Sequence, residues 1–222
     1  MSNTRELSKN ILKDMAIHYK NDVATIYPMP LSVTFLIPNS DLTQVNRRRV
    51  LDQLKNPNDK LWILERIKLK NDLNNIKAEA VHRFTNINYQ LKEAISQILE
   101  QFKNDKNKEK AKQDIKKKEE VAKQQVSEAF DRMTEDAFNL IEQVPDSSND
   151  VNKNINLIVE TMNKVFISIS SATNSIGQII KNILSEIIGI ISEVVQWVKD
   201  TVNKIGNAIG DAVVSIIGAI GL

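Results

Sequence analysis

Glu79 and His82 are the residues best spaced for chemistry. In Glu79-Ala-Val-His82 a carboxylate and an imidazole stand three positions apart, on one face of any helix that carries them. Di-metal carboxylate bundles use that spacing, but they need a second copy of it and two more inward carboxylates. The other histidine, His18, follows Asp14 by four positions and has no Glu-x-x-His around it. A surface pair is the expectation, with no metal ligand assigned. No Gly-rich phosphate loop, Gly-x-Ser-x-Gly elbow or His-Glu-x-x-His occurs. With no cysteine in the chain, disulfides, thiolate ligands and a cysteine nucleophile are excluded. Neither an enzyme nor a cofactor carrier is expected, and no small-molecule substrate is evident.

Two basic features remain. Arg47-Arg48-Arg49 falls in an expected helix, where the three side chains fan apart instead of forming one fork. Lys103 to Lys123 carries nine Lys against five Asp/Glu, the pattern of a solvated hairpin tip that can also meet anionic headgroups or acidic partners. Over the whole 222 residues, 30 Lys+Arg against 28 Asp+Glu leave a formal charge of only +2. Without a basic excess or interleaved aromatics, no nucleic-acid partner is expected.

The elements that carry these groups are helical. Thr4 to Lys20 reads as a helix with apolar positions Leu7, Ile11, Leu12, Met15 and Tyr19. Pro28, Pro30 and Pro38 make Asp22 to Asn39 an extended apolar segment, and Ser40 or Asp41 then caps a helix that stops before Pro57. From Asp59 to Val144 there is neither Gly nor Pro, and apolar residues recur at helical spacing. A single helix of that length would reach roughly 130 Å at 1.5 Å per residue. A reversal near Asn104 to Asn107 is expected instead, giving two long arms. Pro145-Asp-Ser-Ser-Asn-Asp is a stop and restart, with Ser147 or Ser148 as candidate cap. The third arm alternates four and three along Val151, Ile155, Ile158, Met162, Val165, Ile169, Ala172, Ile176, Ile179 and Ile183, a coiled-coil seam. Its beat slips at Glu186, where a bend is expected.

Beyond the seam lies the most distinctive stretch. Ser175 to Leu222 holds all six glycines and no proline. Read as one helix, it carries an apolar face about half a circle wide. The candidate membrane-contact residues are Ile187, Ile190, Ile191, Val194, Trp197, Val198, Val202, Ile205, Ile209, Val213, Ile216, Ile217 and Ile220. Gly206-x-x-x-Gly210 and Gly218 are candidates for close packing in lipid. The polar arc is balanced, with Lys181, Lys199 and Lys204 against Glu186, Glu193, Asp200 and Asp211, so it offers anionic lipid no Coulomb advantage. The helix to about Asp211 is too charged to span a bilayer, and the apolar end that follows is too short.

In its Ile/Val/Gly mix and its terminal Val213-Val-Ser-Ile-Ile-Gly-Ala-Ile-Gly, this tail resembles the β-type phenol-soluble modulin peptides. The layout, a long helical hairpin bundle with a concealed apolar element, is similar to the α-helical pore-forming toxins of the haemolysin E type. That resemblance implies a soluble form that releases its apolar helix on membrane contact and then oligomerises.

The expected fold is all-α: an elongated antiparallel bundle of three long arms, a C-terminal wide-faced amphipathic helix, and a small N-terminal cap containing the Pro-punctuated segment. The expected division is 1–57, 58–145, 146–185 and 186–222. The expected function is membrane or lipid association, extending to membrane permeabilisation, through the last helix. The alternative is a non-catalytic adaptor that homo-oligomerises along the Val151–Ile183 seam. Partners are thus lipid or a second copy. The N-terminus lacks an apolar signal core, so a cytoplasmic protein, or one exported without a cleavable signal and peripheral on membranes, is expected.

Overall fold

The structure, a computed structural model, describes residues 2–24, 57–145, 150–189 and 194–222. Five helices account for almost all of them, and no strand occurs among the described residues: α1 (Ser2–Ala24), α2 (Pro57–Asp105), α3 (Lys108–Gln143), α4 (Val151–Gly189) and α5 (Val194–Ile220). They pack on one another as an all-α bundle. Most of the proline-punctuated segment, the helix expected before Pro57, Arg47-Arg48-Arg49 and the caps Ser147 and Ser148 lie outside the described residues.

The hairpin of α2 and α3 turns where the apolar period fades. Lys106 takes φ 52°, and its N–H donates to the Phe102 carbonyl at 2.8 Å, closing α2 in the left-handed manner usual for glycine. Asn107 Oδ1 then accepts from the Lys110 N–H at 3.1 Å and caps α3. Pro57 opens α2, where its missing N–H costs no helical hydrogen bond.

α4 runs back along the hairpin as the central arm. Val151, Ile155, Ile158, Met162, Val165, Ile169, Ala172, Ile176 and Ile183 are all buried, so the seam is core. Ile179 departs from it. It is half-buried while Ile180 is buried, and the inward row runs Ile176, Ile180, Ile183, Ile187. Ile187 keeps the row inward past Glu186, and α4 continues to Gly189.

α1 lies antiparallel to α3. Arg5 donates to the Val144 carbonyl, and Lys9 and Lys20 pair with Glu142 and Asp131. Tyr19 donates to Asn163 Oδ1 at 3.1 Å and packs with Phe166, which meets Phe130 edge-on at 5.3 Å. The helix runs past Lys20 to Ala24, taking in Asp22 and Val23, which the prolines downstream had suggested were extended. Its inward face is also rotated. Ser8, Leu12, Ala16 and Val23 are buried, whereas Leu7 is 59% exposed. Small Ser8 and Ala16 let α1 settle into the groove between α3 and α4.

Candidate functional site

α5 folds back antiparallel to α4 and lies in the groove between α4 and α2. Its contact row is Val198, Thr201, Ile205, Ile209, Ala212, Ile216 and Ile220, all buried, at helical spacings of three and four. Val194, Trp197, Val202 and Val213 flank the row half-buried, and Ile187 is buried on α4. Of the thirteen candidate contact residues only Ile217 is exposed among those described, at 36%; Ile190 and Ile191 fall outside the described residues. The wide apolar face is thus folded inward as a helix of the bundle.

α4 ends at Gly189 and α5 begins at Val194, within the stretch whose apolar face was read on a single wheel. Ile187 and Val198 are separated by eleven positions, about three helical turns, so α4 and α5 bury the same wheel angle on either side of the break. The periodicity runs through a reversal it cannot report.

Three contacts hold the reversal. The Trp197 indole N–H donates to Glu186 Oε2 at 3.1 Å. Lys204 lies 3.7 Å from Glu186 Oε1. The indole ring meets Phe102 of α2 edge-on, with centroids 6.3 Å apart. Glu186, read from sequence as the slip in the beat, ties the two helices together. A polar residue at a slip followed by a Trp eleven positions on was the available signal.

The glycines divide by what surrounds them. A Cβ at Gly206 would meet Lys92 Cε at 3.4 Å, an ordinary contact with a flexible side chain. At Gly210 and Gly218 a Cβ would meet nothing within 4 Å. The fold therefore requires neither of them: no neighbour crowds them and neither takes a positive φ. Each still weakens the helix by roughly 1 kcal/mol relative to alanine. Around them Val195 is 66% exposed, Val214 70% and Leu222 48%, apolar residues outside the expected contact set.

The other sequence candidates sit apart. Glu79 pairs with Arg83 at 2.8 Å, and His82 Nε2 lies 3.0 Å from Asn86 Nδ2. Among the described residues no group of three metal-ligating side chains forms. A cleft of about 270 Å³ opens where the start of α2 meets the end of α3, lined by Glu65, Lys68, Asp72, Gln143 and Asn154 among others. The seam residues are enclosed by the chain's own helices, so a second copy could reach them only by displacing one. Within this core Glu119 and Lys123 form a largely buried ion pair at 3.0 Å, with Glu119 facing Gly177 of α4. Burial alone would push the Lys123 ammonium down. The Glu119 and Glu120 carboxylates outweigh it and hold it above its ordinary value.

No described helix is long and apolar enough to cross a membrane. Comparison with protein-family models, with curated proteins and with solved structures finds no match.

Proposed function

We propose that this protein associates with lipid membranes by exchanging the burial of α5 against α2 and α4 for burial in the bilayer interface, and that it permeabilises the membrane when it does so. The observation that carries the reading is the mismatch between α5 and its groove. The helix has more apolar surface than the bundle covers, with Val214, Ile217 and Leu222 left outward. It also carries two glycines that the intramolecular packing does not use. A helix that is apolar on its inner face and glycine-lined outside suits a second, lipid-embedded environment.

The energetics are balanced enough for exchange. Val198, Ile205, Ile209, Ile216 and Ile220 each gain about 1.5–3 kcal/mol from burial, and the gain is of similar size in either medium.

The test uses the absence of native cysteine. Cysteines at Lys92 and Gly206, joined by a short bifunctional thiol reagent, lock α5 onto α2. Dye release from vesicles should be lost in the locked protein and return when a cleavable linker is cut. Equal release by locked and unlocked protein would refute the exchange.

A further inference from the structure

We propose that the end of the bundle formed by the α2–α3 turn, the end of α4 and the start of α5 is a docking surface for anionic lipid headgroups. This inference rests on the membrane reading above but concerns a different surface, one available without release of α5. The two reversals are about eighty residues apart in sequence, yet Lys108 Nζ donates to the Ile188 carbonyl at 2.9 Å. Basic and apolar groups that no local pattern connects are thereby brought to one end.

The apolar part is Ile188, 59% exposed at the end of α4, and Val195, 66% exposed at the start of α5. Neither packs into the core, and they flank the reversal on both sides. Trp197 lies half-buried just inside them, at the depth where an indole sits below headgroups. The basic part is the neighbouring reversal. Residues 100–112 carry five lysines, Lys103, Lys106, Lys108, Lys110 and Lys112, against three carboxylates, Glu100, Asp105 and Glu109. Those carboxylates are each spanned by a lysine of the same segment: Glu100 by Lys103, Asp105 by Lys110 at 3.9 Å, and Glu109 by Lys112 at 3.4 Å. Lys106 and Lys108 are the excess, and Lys106 stands at the apex of the turn, fully outward.

Exposed aliphatics beside a cationic excess suit a surface that is anionic outside and apolar beneath. Lysine near an anionic leaflet gains Coulomb energy that falls off within a Debye length, and aliphatic tips gain by shallow insertion. An acidic protein would satisfy the lysines and leave Ile188 and Val195 in water. The polar arc of α5 is charge-balanced, so any preference for anionic lipid must come from elsewhere, and this end of the molecule supplies it.

The experiment is flotation of the full chain with neutral phosphatidylcholine vesicles and with vesicles containing phosphatidylglycerol, in low and high salt. Wild-type protein should float with the anionic vesicles, and less so in high salt. Ile188→Asp with Val195→Asp should weaken that binding about tenfold, since both positions are exposed and the charge meets the leaflet. Lys106→Gly should weaken it while relieving the positive φ at position 106, so backbone strain is not the source of the loss. Leu7→Asp, exposed on α1 at the opposite end of the bundle, should leave anionic binding unchanged. Unchanged binding by both tip variants would overturn the docking surface and leave the exchange of α5 standing. Anionic binding lost at the tip, with dye release still dependent on an unlocked α5, supports both. Tip-dependent binding with no effect of the α5 lock would retain the docking surface and refute the exchange. Absence of wild-type flotation with either vesicle would overturn both.

Discussion

Lys123 and Glu119 carry the most consequential charges in the core, because the bundle closes over both. Removing one partner strands the other. Lys123→Met should cost about 3 kcal/mol in denaturant unfolding, and Glu119→Leu with Lys123→Met should cost clearly less than that single change. The pair also sets an alkaline limit. A lysine held above its unfolded value contributes stability below that value and loses it as pH rises through the folded one, so the wild-type bundle should weaken in strong alkali and Lys123→Met should lose that dependence. On the acid side Glu142 behaves oppositely. The hydrogen bond from Lys9 holds its carboxyl below the ordinary range, so its contribution is present above the unfolded value and lost as pH falls through the folded one. Lys9→Met should raise the Glu142 midpoint in an NMR titration. Lys106 offers a third check: at φ 52° a lysine is strained, and Lys106→Gly should raise stability by about 1 kcal/mol.

At the scale of elements, the helices were legible in the sequence, and their inward faces and exact ends were less so. The reversal at 104–107 announced itself as a run of Asn, Asp and Lys without aliphatics, and the structure turns there. The α4 seam was legible to Ile176 because three neighbouring arms demand a regular row of large residues. It failed at Ile179, where α5 replaces an earlier neighbour and the row rotates to Ile180. The face of α1 was misjudged because aliphatic identity marked Leu7 as core while groove width selected Ser8 and Ala16. The slip at Glu186 marked the neighbourhood of the break between α4 and α5, while the shared wheel angle carried the apolar face across it. Element-scale tests follow from this packing. Ile169→Ala, 2% exposed, should cost about 2–4 kcal/mol of bundle stability, and its effect should not vary with protein concentration. Gly210→Ala and Gly218→Ala meet open space, so each should raise stability by about 0.5–1 kcal/mol, read from the thermal midpoint. If those glycines serve close packing in lipid, the same variants should release less dye despite being more stable.

For the whole molecule, the proposed function would have the bundle meet a membrane in two unlike ways. The end carrying Lys106, Ile188 and Val195 is outward in the folded state. The apolar row of α5 is inward and held there by Glu186 across the reversal. Electrostatic docking should respond to salt and lipid charge, whereas exchange of α5 should respond to locking and to helix stability. The central claim is that α5 leaves its groove on lipid, and an intramolecular distance reports this directly. Glu93 and Asn207 are exposed neighbours of the Lys92–Gly206 contact between α2 and α5. Nitroxide labels on cysteines at those two positions, measured by pulsed electron resonance in the full chain, should give a short, narrow distance in solution. On vesicles that bind the protein, the account predicts a longer and broader distribution. A distance unchanged on fully vesicle-bound protein would contradict it.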